Sequence, residues 1–95
     1  LSHAEQTKRN DLSCRIIYGE EFERWGNPTP DQIDDFLDKI HTVGRHRVRL
    51  TGYNSRSKRY PIEYVEVDGD RRMKGGDDFL KIAGDKFFGK QGKAA

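Results

Sequence analysis

The sequence predicts an α+β domain, a small β-α-β-β-β-α arrangement in which an antiparallel sheet carries two helices packed on one face. Three observations point there. Between Thr29 and Gly44, apolar residues recur at helical spacing behind a complete start signal. From Arg45 to Val67, two runs rich in β-branched and aromatic residues flank a short polar turn. Gly75-Gly76 then opens a last segment with an apolar stripe of its own.

At 95 residues the chain makes one domain at most, because domains usually run to roughly 100–150 residues. Only 33% of it is apolar and 36% is charged, so the core must rest on a few large side chains. Five Phe, four Tyr and one Trp supply them, each able to bury about 150–250 Å². These residues are clustered and periodic, which argues for folding over disorder.

Taken in order, residues 1–11 (LSHAEQTKRND) are polar and aperiodic and read as a flexible N-terminal segment. The domain proper is expected over 12–89. Ile16, Ile17 and Tyr18 give a strand over 12–18, with Cys14 a small buried hydrophobe near its start. RWGNPTP is turn chemistry, with Trp25 either a lid on the core or an exposed anchor. Thr29 at the N-cap, Pro30 at N1 and Gln32 at N3 then complete a capping box. Ile33, Phe36, Leu37 and Ile40 form one face of a helix predicted over 30–43, which Gly44 stops.

RHRVRLTGY alternates, placing His46, Val48 and Leu50 toward the helices and Arg45, Arg47, Arg49 and Thr51 away from them. NSRSK is the turn, and YPIEYVEV the return strand. Tyr60, Ile62 and Tyr64 share one face of that strand while Val65 and Val67 share the other. Either both faces are partly covered or a bulge intervenes. Asp68-Gly69 signals a type I′ turn into a short third strand, DRRMK. Asp77 caps a last helix whose stripe is Phe79, Leu80, Ile82, Ala83 and Phe87; Gly84 weakens it by about 1 kcal/mol relative to Ala. Gly89 ends it, and residues 90–95 form a flexible basic tail.

Net charge is only +2, but it is unevenly laid out. Seven acids lie between Gly19 and Ile40 against Arg24 and Lys39, whereas six bases and no acid lie between Arg45 and Tyr60. Alternate strand residues sit roughly 6.6–7 Å apart, close to the spacing of phosphates along a nucleic-acid strand, and Arg donates two parallel hydrogen bonds to phosphate. The leading expectation is therefore a non-catalytic nucleic-acid-binding domain, for DNA or RNA, that uses a basic β-hairpin. Arg45, Arg47, Arg49, Arg56, Lys58 and Arg59 would hold phosphates, with Tyr53 and Tyr60 as stacking surfaces. Arg71 and Arg72 could add to them from the third strand. The alternative for those arginines is a solvated face paired with Glu63, Glu66 or the acids of the first helix.

The span 30–88, read as α-β-β-β-α, is similar in element order to double-stranded-RNA-binding domains and to small ribonuclease toxins. The Lys-Lys-x-Ala-Lys pattern of the RNA-binding members is replaced here by GGDDFLKIAG, whose acids would repel phosphate. The toxin likeness implies a strand histidine as general acid or base. His46 would then act with Arg47 or Arg49 on the phosphate charge and with Tyr60 or Glu63 as partner. His41, at the end of the helix, reads as a surface residue and a second imidazole for that scheme. An exposed His46 beside the arginines would favour an active site over a holding surface. A third class is a protein-interaction or self-assembling adaptor, its acidic and basic regions meeting those of a neighbour.

No zinc or calcium pattern and no phosphate loop is present, so neither a metal nor a cofactor is expected. One cysteine leaves no internal disulfide. No apolar run reaches the ~18 residues of a membrane span. The chain begins at Leu rather than Met and reads as a processed or excised piece; with no signal peptide, a cytoplasmic or other intracellular location is the default expectation, with no membrane partner.

Overall fold

The computed structural model describes residues 2–93, with side-chain surroundings as far as 89. The elements run α1 (His3–Ile17), α2 (Pro30–Asp38), β1 (His41–Val43), β2 (His46–Tyr53), β3 (Ile62–Glu66), β4 (Arg71–Gly75) and α3 (Asp77–Lys93). The strands form one antiparallel sheet in the order β1-β2-β3-β4, and the three helices flank it. The predicted β-α-β-β-β-α order, with two helices on one face, is thereby corrected at two places.

The first correction is at the N-terminus. Residues 12–18 are not a strand, and residues 3–11 are not irregular. Ser2 caps α1 by accepting the Glu5 N–H at 3.2 Å. Leu12 and Ile16, four residues apart, are the buried positions of that helix, whereas Ile17 and Tyr18, which carry the β signal, are exposed. Burial at helical spacing overrides local β propensity. Cys14, expected inside, is exposed.

The second correction is that the helix predicted over 30–43 ends at Asp38. Its capping box is present, and Ile33, Phe36 and Leu37 are buried as expected. Residues His41–Val43 then pair with β2. Gly44, at φ +64, does not stop a helix. It opens a two-residue turn between Val43 and His46, with the positive φ that a hairpin demands at that position. The span 30–88 therefore holds four strands, one more than the layout it resembles. β4 forms close to its expected place, but a four-residue loop precedes it, with Asp70 rather than Gly69 in the left-handed region (φ +50).

The register sorts the sheet into two faces. Val48 opposite Glu66, Leu50 opposite Tyr64 and Tyr53 opposite Ile62 share the face that also carries His41. Arg47 opposite Thr42, Arg49 opposite Val65 and Arg72, and Gly52 opposite Glu63 and Lys74 share the other. Thr51 has no partner, because the register shifts by one residue between Leu50 and Gly52. The return strand itself pairs regularly with β4 and is half-buried on both faces from Glu63 to Glu66, so partial cover of both faces explains its irregular pattern, and the bulge lies in β2.

The core gathers Leu12 and Ile16 from α1, Ile33, Phe36 and Leu37 from α2, Leu50 and Ile62 from the sheet, and Leu80, Ala83 and Phe88 from α3, with Trp25. The buried Trp25 acts as a lid and not as an exposed anchor. Its ring stacks on Phe88 at 5.4 Å, and Nε1 donates to Asp85 Oδ1 at 2.8 Å. A Cβ on Gly84 would overlap that ring, so the glycine that weakens α3 locally makes the space for Trp25. α3 continues past Gly89, where an end was expected, to Lys93. Of the expected tail, residues 94 and 95 lie outside the described residues.

Below the core, Glu21 is 1% exposed and bonded at 3.0 Å to Arg15. Burial opposes charge on both groups, but their hydrogen bond and mutual attraction outweigh it. Glu21 is held below the ordinary carboxylate range and Arg15 above its ordinary value.

A candidate nucleic-acid interface

The two histidines occupy each other's expected positions. His41, read as a surface residue, is buried in β1, where a ring nitrogen lies 2.7 Å from the Phe36 carbonyl oxygen. The ring packs against Phe36 and Phe87. Burial pushes its pKa down, and the bond to that carbonyl offsets part of the shift. His46, expected inside with Val48 and Leu50, does share their face, but at the far end of β2 where nothing covers it. Its side chain is 63% exposed, and Nδ1 lies 2.8 Å from Glu66 Oε2.

The partners proposed for His46 from the sequence are not brought to it. Glu63 stands opposite Gly52, six residues along β2 from His46 and so about 20 Å away. It also belongs to the other face and is paired with Lys8 at 3.1 Å. Tyr60 lies beyond that same distant end. Glu66, which the sequence offered only as a counter-charge for arginine, takes the place instead.

β2 also divides the basic cluster. Arg45, Arg47 and Arg49 stand at its start or along its open face, whereas Arg56, Lys58 and Arg59 occupy the loop after its end. All six are exposed. The carboxylates that might have neutralised them are engaged elsewhere: Glu63 with Lys8, Glu66 with His46, Asp34 and Asp38 with Arg9, and Asp35 with Lys39. Among the described residues only Arg47 of the six has an ion-pair partner, Asp68 at 3.3 Å.

The loop from Asn54 to Pro61 is closed by its own hydrogen bonds. The Asn54 N–H donates to the Pro61 carbonyl at 2.7 Å, and the Ser57 N–H to the Asn54 carbonyl at 3.1 Å. The Asn54 side chain accepts the Arg56 N–H at 3.1 Å, and Ser57 Oγ accepts the Tyr60 N–H at 3.2 Å. These bonds brace the backbone that carries Arg56, Lys58 and Arg59. Tyr60 is 51% exposed in this loop, while Tyr53 is half-buried against the core.

Sequence reasoning gave Arg72 a minor part and Lys74 none. Both stand on the open face, with Arg72 two strands across from Arg49. The alternation of RRMK carried that signal, but only the register decides which of its residues join Arg49. A groove of about 720 Å³ runs over this face, floored by Arg49, Val65, Arg72 and Lys74 and walled by Glu5 and Lys8 of α1.

Among the described residues no group of His, Cys, Asp and Glu could hold a metal ion, and no helix is long and apolar enough to cross a membrane. No family model matches this chain, and no curated protein or solved structure matches it either.

Proposed function

We propose that this domain binds nucleic acid by its phosphates, through the arginines of the β1–β2 turn and open face (Arg45, Arg47, Arg49) and the bases of the braced loop (Arg56, Lys58, Arg59). The observation that carries the reading is the disposition of the acids. Glu63, Glu66, Asp34, Asp35 and Asp38 are each paired with another cation, and among the described residues only Arg47 of the six bases has an acid beside it, so five are left for a polyanion. Exposed ion pairs contribute only ~0–1 kcal/mol, so Arg47 can exchange Asp68 for a phosphate at little cost. The exposed ring of Tyr60 offers a stacking surface worth about 1–3 kcal/mol per base. The test is binding to mixed-sequence DNA and RNA oligonucleotides across a salt series. Affinity should fall steeply with salt, and no binding at low salt would remove the reading.

A second reading has one observation of its own, the exposure of His46. Glu66 can accept a hydrogen bond from Nδ1–H and so leave Nε2 as a general base, the orienting role that a carboxylate plays beside a catalytic imidazole. Arg47 and Arg49 lie on the other face of the strand, so the arginine assistance expected from the sequence is not beside it. The binding reading therefore stays ahead. Equal breakdown of total RNA by wild type and His46→Ala, or none by either, rejects catalysis through His46.

A further inference from the structure

We infer that the nucleic acid accommodated by the open face is a single unpaired strand, laid in the groove beside α1 with its phosphates on Arg49, Arg72 and Lys74. The inference rests on the nucleic-acid reading above and adds to it the form of the ligand, its path and two residues. Three features of the molecule carry it.

The first is size. About 720 Å³ falls within the roughly 300–1,000 Å³ of sites that enclose small molecules. An unpaired nucleotide or two can enter such a space, whereas a duplex presents only its outer backbone to it. The wall is fixed, because α1 sits directly on β2. A Cβ on Gly52 would lie 2.7 Å from the Lys8 Cβ, and Lys8 is tied down to Glu63.

The second is charge. Arg49, Val65 and Arg72 form one row across β2, β3 and β4, and Lys74 follows in the next row with Glu63. Arg49, Arg72 and Lys74 have no ion-pair partner among the described residues. The acids of the groove are distributed differently. Glu63 is neutralised by Lys8 and Asp38 by Arg9, while Glu5 and Asp70 have no ion-pair partner among the described residues. Glu5 is on the α1 wall and Asp70 is in the loop before β4, so the floor is cationic and the rim is not. Phosphates are drawn to Arg49, Arg72 and Lys74, and the apolar side chain of Val65 between the two arginines is left for an unpaired base.

The third is continuity. The groove reaches Asn54, the residue at which the braced loop begins. Without that path, the face and loop cations are two patches on either side of the end of β2. With it, a strand held on Arg49 can run on to Arg56, Lys58 and Tyr60 as one chain of several nucleotides.

The experiment compares a 12-nucleotide single strand with its own blunt duplex, for both DNA and RNA, at low salt and along a salt series. The proteins are wild type, R72E/K74E for the groove, and R56E/K58E for the loop. The expected result is at least tenfold tighter binding of the single strand by wild type. R72E/K74E should lose most of that preference, and its salt slope should flatten by about 1.4, given ~0.7 per phosphate contact for single strands. R56E/K58E should weaken both forms of ligand. A duplex bound as tightly as the single strand, or R72E/K74E keeping the wild-type preference and slope, overturns the inference and leaves the nucleic-acid reading standing. Failure of every oligonucleotide to bind at low salt removes both. Unchanged circular dichroism of the variants keeps a folding defect from passing for a lost contact.

Discussion

The covered and open faces of the sheet are made by the same strands and share no physical task. On the covered face, Leu50 and Ile62 are buried with Phe36, Phe88 and Trp25, and the aromatic rings meet at 4.9–6.4 Å. On the open face, Arg49, Arg72 and Lys74 stand exposed. The difference shows how a chain with so little apolar material supports unpaired charge. Stability is concentrated on one side, so the other, apart from the contact of α1 with Gly52 and Glu63, is free to bear unpaired cations.

The separation depends on Thr51 standing outside the ladder. If the pairing of Tyr53 with Ile62 ran on without a bulge, Arg49 would stand opposite Glu66, and Leu50 and Val48 would turn to the open side. The single unpaired residue therefore keeps Leu50 and Val48 inside, leaves Arg49 without a counter-charge and gives Glu66 to His46. Truncating Leu50 is the strongest way to break the contrast, because it is 1% exposed at the centre of the covered face. Leu50→Ala should cost about 2–5 kcal/mol in denaturant unfolding. A loss under 1 kcal/mol would show that the covered face does not carry the stability.

Gly84→Ala comes next and pits two effects against each other. Alanine favours the helix by about 1 kcal/mol, but its Cβ meets a Trp25 ring held by Phe88 and Asp85, and overpacking costs about 1–3 kcal/mol. A net loss of roughly 1 kcal/mol is expected in chemical denaturation, and a gain would mean that the lid shifts freely.

His41 gives the covered face a pH dependence. Because its folded pKa lies below the ordinary value of 6.5, the unfolded chain binds the proton first as pH falls. Stability should decline from about neutrality down through the folded pKa. His41→Phe should flatten that part of the profile, and an identical slope in both proteins would assign it to other groups. The smallest effect belongs to the open face, where R72E/K74E should move stability by no more than about 0.5 kcal/mol per substitution.

The parts legible in the sequence were those with local rules. The capping box at Thr29, the burial of Ile33, Phe36 and Leu37, the β2–β3 hairpin and the position of β4 all follow from spacing within a few residues. What failed depends on contacts far along the chain. Leu12 and Ile16 could not outvote the β-branched run without the core they enter, and His41 reads as a helix end until its pairing with Val48 is known. For the candidate site, the six bases were visible as a cluster, but their lack of counter-charges was not, because it depends on how Glu63, Glu66 and Asp38 are used. Glu66 as the partner of His46 was hidden by the one-residue shift at Thr51.

The strand order β1-β2-β3-β4 also bears on how the chain reaches its native state. Each strand pairs with its neighbour in sequence, so forming the sheet closes short loops, and the entropy of closure grows only slowly with their length. A sheet assembled from such local contacts is favoured to form quickly. The docking of α1 on β2 joins segments some 40 residues apart and is the slower kind of contact. Mutations at Leu12 or Ile16 would then be felt mainly as faster unfolding, with the refolding rate left largely to the hairpins.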